Sequence, residues 1–176
     1  MLPVGPRSRR AAEDPRPNSY TVSVIDVEVP YETEVRIGAS RADAFELLAD
    51  VGRSGSHFPG VGSLEDLGAG RWRWRMKERG IGPVKVTAVY EAVYVSDEDG
   101  GIVEWKPAAG RHDMDSFGSW TITERDDGVY LRFKARTVAH VNAPRMMKKM
   151  VQAFAAEEIA GMKAAYVQAI AKTLSA

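Results

Sequence analysis

From Pro144 to the carboxyl end, apolar residues return at helical spacing, and one acid stands among them. Met147, Val151, Phe154, Met162, Ala165 and Ala169 fall on one side of a helix, with Glu158 in their midst. A helix this long with one apolar side needs a broad apolar surface to lie on. If that surface is a curved antiparallel sheet, the two enclose space, and a carboxylate in such a space is paired, neutralised or functional. The pattern points to a binding cavity and says nothing of its occupant.

The residues before the helix read as strands. From Ile25 to Ile37 apolar residues alternate, with Glu32, Glu34 and Arg36 between them, which marks a half-buried strand. Pro30 removes a ladder donor and so puts this strand at an edge or splits it in two. Ser40 and Asp43 resemble a capping box, and Ala42, Phe45, Leu47, Leu48 and Ala49 supply a short helix. The stretch from Gly52 to Gly60 reads as a loop with room for one helical turn. Leu64 and Leu67 suggest a short strand. Trp72, Trp74 and Met76 then alternate with Arg71, Arg73, Arg75 and Lys77, giving one aromatic and one cationic face. Beyond Gly80-Ile-Gly-Pro83 the spacing predicts a single long strand from Val84 to Val95, then a brief one from Ile102 to Trp105. Met114 to Thr123 and Val129 to Val138 form a hairpin about Asp126-Asp-Gly128, with Leu131, Phe133 and Ala135 opposed to Arg132, Lys134 and Arg136. Such alternation requires one wet side and one buried side. There is no parallel βαβ rhythm and no repeat. The expected fold is α+β, a curved antiparallel sheet of about seven strands wrapped on a long carboxyl-terminal helix, with one or two short helices after the first strand.

Residues 1–19 carry four prolines and four arginines without apolar period and read as a flexible tail, which leaves 20–176 as one domain of ordinary size. Lys and Arg number 24 and Asp and Glu 24, so no net field favours nucleic acid. Without cysteine there is no disulfide framework or thiolate metal site, and the three histidines lack ligand spacing, so no metal is expected. No Walker loop or GxGxxG occurs, and no cofactor is expected. The amino end lacks the apolar core of a secretory signal and no run is long enough to span a bilayer, which makes a cytoplasmic location the expectation.

Trp72, Trp74, Trp105 and Trp120 are the largest apolar surfaces, suited either to core packing or to lining a pocket. With Phe133, Met147, Val151, Phe154, Glu158 and Met162 they form the candidate ligand-binding set. Glu158 has three readings: it reaches solvent where the helix bends near Gly161, it pairs with an inward cation, or it sits in the cavity to bind a ligand hydroxyl or shuttle a proton. His57 and His112 flank turns near strand ends, where cavity mouths lie, and are candidate acid–base groups or simply solvated. His140 reads as structural. The two basic rows are either a solvated face balanced by acids or a surface for anionic lipid, with Met146-Met-Lys-Lys-Met150 as its neighbour.

Element order, the Phe58-Pro-Gly-Val61 turn, the Gly82-Pro-Val84 strand entry, and Gly118-Ser-Trp-Thr-Ile122 followed by Val129-Tyr-Leu-Arg-Phe133 resemble the START-like or Bet v 1-like (SRPBCC) superfamily. This is the polyketide cyclase and lipid-transport group, and the likeness spans roughly Tyr31 to Leu174. The turns also look like the carbon monoxide dehydrogenase G-subunit branch. The resemblance implies a helix-grip fold enclosing an apolar cavity for lipids, sterols, quinones or polyketides, and carries over no catalytic residue. Three functions follow as expectations: a binder or carrier of a hydrophobic small molecule, a polyketide cyclase or dehydratase using Glu158 or a mouth histidine, and an accessory module of a membrane-associated redox complex. The expected partner is a hydrophobic ligand, with transient contact at a membrane surface and no nucleic acid; the oligomeric state is not legible.

Overall fold

The computed structural model describes residues 21–176. The expected tail, residues 1–19, lies outside the described residues.

Chain order is β1 (Val22–Ile37), α1 (Arg41–Ala49), α2 (Val51–Gly55), β2 (Val61–Asp66), β3 (Arg71–Met76), β4 (Arg79–Ile81), β5 (Val84–Val86), β6 (Val89–Asp97), β7 (Ile102–Pro107), β8 (Met114–Arg125), β9 (Gly128–Pro144) and α3 (Lys148–Thr173). A single 3-10 turn, Arg145–Met147, joins β9 to α3. Seven strands make one antiparallel sheet in the order β1-β9-β8-β7-β6-β3-β2. The α1–α2 pair carries the chain from one edge of this sheet to the other, and the strands from β2 to β9 then meander back to β1. This is the expected α+β helix-grip arrangement.

β1 is an edge strand, as Pro30 suggested, and it is unbroken: it pairs with β9 from Val22↔Pro144 to Ile37↔Val129. Ser40 caps α1 by accepting from Asp43 N at 3.1 Å, and Asp50 caps α2 by accepting from Arg53 N at 2.9 Å. The second arm of the hairpin alternates as expected, with Leu131, Phe133 and Ala135 buried and Arg132, Lys134 and Arg136 exposed.

Three expectations are corrected. The predicted strand Val84–Val95 is two strands: β5 folds back on β4 through a turn at Gly82 (φ 56°) as a separate ribbon, and pairing with β3 begins at Val89. Its apolar residues on both faces reflect two different packings, Val84 against the β1–β9 and α3 cluster and Tyr90 against Trp74. β9 runs on to Pro144, so that residue ends a strand instead of opening a helix. The buried stripe of α3 is Val151, Ile159, Lys163, Tyr166, Val167 and Ile170, while Ala165 is exposed. Alanines and methionines lie nearly all round α3, so spacing alone does not set which side turns inward.

The carboxyl end of α3 is tied to the start of α1. Ala39 N donates to Leu174 O at 2.7 Å, and Gly38 N donates to Ser175 Oγ at 3.1 Å. Under this clasp lies an aromatic core in which Phe133 touches Trp120 (ring centroids 4.6 Å apart), Trp105 (5.7 Å) and Tyr166 (5.9 Å). Gly118 makes the Trp105 position possible, because a Cβ there would overlap the indole ring and stand 2.6 Å from Lys134 O. Gly118→Ala is therefore expected to cost about 1–3 kcal/mol through overpacking, read as a fall in denaturation midpoint.

Half of the cationic row, Arg71 and Arg73, is paired with carboxylates on the outer face. Glu91, 8% exposed, takes Nε of Arg71 at 2.6 Å and Nε of Arg73 at 3.0 Å, and Arg73 also reaches Glu65 at 2.8 Å. On β9, Arg132 pairs with Glu32 at 3.2 Å and Arg136 with Glu28 at 3.3 Å. These carboxylates remove much of the positive field that the two rows display in sequence.

Candidate functional site

A cavity of about 150 Å³ lies between α3, the concave face of the sheet and the β4–β5 ribbon. Its size is comparable to a cavity that admits one aromatic ring. One end is closed by Trp120, Phe133 and Tyr166, all at most 7% exposed. At the other end the lining includes exposed Lys77, Arg79 and Gly80, which makes a charged mouth.

Of the candidate ligand-binding set, Trp74, Trp105, Trp120, Phe133, Val151, Phe154, Glu158 and Met162 line the cavity. Trp72 and Met147 lie outside that lining; Trp72 instead packs on the α2 side, where a Cβ on Gly52 would stand 3.1 Å from its ring. Glu158 sits at the mouth with its side chain 37% exposed, 3.9 Å from Arg79 Nε. α3 runs unbroken through Gly161, so the acid reaches solvent by its position at the mouth.

The histidines are bonded within the framework. His57 contacts Arg53 O at 3.0 Å through Nδ1 and Thr173 Oγ1 at 3.0 Å through Nε2, linking α2 to the end of α3. His112 Nε2 lies 3.2 Å from Ala108 O. Neither lines the cavity. His140 has Nδ1 2.7 Å from Asp26 and Nε2 3.1 Å from Asp115, and the Asp26 bond first, then Asp115, raises its pKa above the usual histidine value. A raised histidine stabilises fully below its unfolded pKa of about 6.5, and that stability is lost as pH rises through the folded value. His140→Gln should therefore flatten the decline in stability above pH 6.5, measured by denaturation at fixed pH steps.

Sequence reasoning missed the polar interior of the cavity. Trp74 is 4% exposed and stacks on Tyr90 at 5.8 Å. Its indole N–H has no hydrogen-bond partner among the described residues; the Tyr94 hydroxyl is near enough to feel it but outside hydrogen-bonding geometry. Burial pushes the Tyr90 and Tyr94 phenols well up and Tyr166 up to about 12, so all three remain neutral donors. Lys163 is 3% exposed and its amine donates to Val29 O at 2.9 Å. Burial lowers that amine to about 8. Ser54, Asp113, Ser116, Thr137 and His140 also border the cavity, with Trp105 Nε1 donating to Ser116 Oγ at 3.1 Å. A signal for Lys163 exists in sequence: it falls in helical step with Ile159, Tyr166, Val167 and Ile170.

Among the described residues, no group of three or more His, Cys, Asp or Glu is placed to hold a metal ion, and no helix is long and apolar enough to cross a membrane.

A seven-stranded antiparallel sheet gripping one long helix defines the helix-grip class of folds. The chain belongs to the polyketide cyclase / dehydrase and lipid transport family, whose model matches residues 28–167. The SRPBCC likeness thus holds, while the narrower likeness to the carbon monoxide dehydrogenase G-subunit branch is not confirmed. Among solved structures, the chain is similar to a STAR-related lipid transfer protein fragment from Xanthomonas axonopodis (16% identity, 82% of this chain and 85% of that one, TM-score 0.56). It is also similar to a protein of Thermus thermophilus (17%, 84% and 99%, TM-score 0.53). A third is the di-domain ARO/CYC StfQ from the steffimycin biosynthetic pathway (13%, 84% and 51%, TM-score 0.52). At these identities the likeness establishes the fold alone. No curated protein sequence matches the chain.

Proposed function

We propose that the protein binds a hydrophobic small molecule of the lipid, quinone or polyketide kind in the cavity beneath α3. The observation that carries this reading is an aromatic-walled hollow containing Trp74, whose buried N–H lacks a partner among the described residues. An unpaired buried donor costs about 1–3 kcal/mol, and an acceptor oxygen on a ligand would recover it. Protein isolated from its own host should release such a molecule in native mass spectrometry. It should also bind a hydrophobic fluorescent probe, and Ala155→Phe, which pushes a ring into the cavity from α3, should weaken that probe at least about tenfold while leaving the thermal midpoint unchanged or higher. Probe affinity unaffected by Ala155→Phe would sink the reading.

The family description and the fold shared with StfQ support a second reading, cyclisation or dehydration of a polyketide chain. Its proton carrier at the cavity would be Glu158, the one candidate among Glu158, His57 and His112 that borders the space. Under that reading Glu158→Gln abolishes turnover and leaves probe affinity within about twofold.

A further inference from the structure

The cavity holds a buried cation without a counter-ion among the described residues. Four polar or charged side chains are buried among the described residues, Ser54, Glu91, Thr137 and Lys163, and all but Glu91 line the cavity. Glu91 lies on the outer face of the sheet between two arginines. Lys163 has no carboxylate within ion-pair distance among the described residues, and its only hydrogen bond there is to Val29 O. An ammonium has three donors, so two are left over. Burying such a group uncompensated costs several kcal/mol, and a protein keeps so unfavourable a group where a function uses it.

The sheet register shows what surrounds it. Val29 pairs with Thr137 on β9, and Thr137 pairs with Ser116 on β8. Thr137 is 3% exposed, and both hydroxyl residues line the cavity with Lys163. Ser116 in turn accepts from the Trp105 indole. One polar band therefore crosses an otherwise apolar floor, beginning at the amine and passing over two neighbouring hydroxyls. The carboxylates that border the cavity are elsewhere: Glu158 is at the mouth beside Arg79, and Asp113 Oδ2 accepts from Val89 N at 3.0 Å.

We propose that Lys163 is the head-group anchor of the cavity, and that the ligand is a hydrophobic acid whose carboxylate sits on the amine beside the Thr137 hydroxyl while its apolar body lies against the aromatic walls. This rests on the reading that the cavity takes a hydrophobic ligand, and it specifies the chemistry of that ligand's polar end. A carboxylate supplies both the missing charge and acceptors for the two remaining N–H groups; an alcohol or ester supplies acceptors without the charge. Lowered by burial, the free amine should regain its proton affinity when the anion arrives.

The test compares benzoic acid, benzyl alcohol and methyl benzoate by calorimetry on the whole chain at neutral pH. These share one phenyl ring, sized for a cavity that admits one aromatic ring, and differ at the polar end. The acid is expected to bind about tenfold or more tightly than either neutral analogue, the difference expected of one charge-assisted contact. Lys163→Met should remove that preference while leaving the alcohol within about threefold. Lys134→Met, which removes an exposed charge on the outer face of β9 away from the cavity, should leave it intact. If Lys163→Met does not fold, as judged by circular dichroism, Lys163→Gln takes its place. Equal binding of acid and alcohol to the unaltered protein, or a preference that survives loss of Lys163, overturns the anchor and leaves the hydrophobic-ligand reading standing. No binding of any of the three overturns both.

Discussion

Phe133→Ala should destabilise the protein by about 3–5 kcal/mol, the range for removing a fully buried phenyl group. Phe133 is 2% exposed on β9 and its ring meets four others, those of Tyr31, Trp105, Trp120 and Tyr166. Three of these belong to strands whose register is held by long ladders, and Tyr166 belongs to a 26-residue helix clasped at its end, so the walls have little freedom to close over the void. A urea titration reads the effect as a shift of midpoint with the slope kept. The same void adjoins the ligand cavity, so hydrophobic probes should bind the variant at least as well as the unaltered protein. A loss under about 1.5 kcal/mol would mean that the aromatic cluster repacks.

Lys163→Met should act in the opposite sense, raising stability at pH 7 by about 2 kcal/mol. Holding the amine at about 8 against 10.5 in the unfolded chain costs about 3 kcal/mol at neutral pH, at about 1.4 kcal/mol per pH unit. Loss of the bond to Val29 O returns about 1 kcal/mol of that. The pH dependence has a definite sign. Between the folded and unfolded values the unfolded chain binds more protons, so stability rises with pH from about 8 towards 10.5. Above pH 10 the three buried phenols also favour the native state less steeply than they would if exposed, because their raised folded values make it hold protons that the unfolded chain gives up, and stability falls on their account. His140 contributes its own decline at lower pH. Comparing the two proteins at each pH cancels the phenols and the histidine: the advantage of Lys163→Met should be full at pH 7 and shrink by about 2 kcal/mol by pH 10. A constant advantage would mean that the amine is not desolvated in the folded state.

These two residues also mark how far the sequence could be read. Phe133 was legible as a core residue because its strand alternates strictly, and one register leaves Leu131, Phe133 and Ala135 facing inward together. The same period placed Trp74 correctly within its arginine row. Lys163 falls in helical step with Ile159, Tyr166, Val167 and Ile170, but that signal is easily passed over, since a lysine on a helix rich in alanine reads as the wet side. The stripe drawn through Met162 and Ala165 instead of Lys163 and Tyr166 differs by one residue, yet it turned attention from a buried amine to Glu158 at the mouth. His57 bonding to Thr173, and Glu91 holding two arginines, join residues far apart in the chain and left no periodic trace.

What the chain determines by itself is the two faces of alternating strands such as β3 and β9, the glycine turn between β8 and β9 and the Ser40-capped start of α1, because side-chain alternation, positive-φ glycines and capping oxygens act between residues a few positions apart. Tertiary structure alone decided where the ribbon of β4 and β5 leaves the sheet, which side of α3 turns inward, and that an uncompensated amine lies beside two hydroxyls in the hollow. Those outcomes depend on solvent exclusion and charge pairing across strands that meet only after folding, and neither leaves a mark on local spacing.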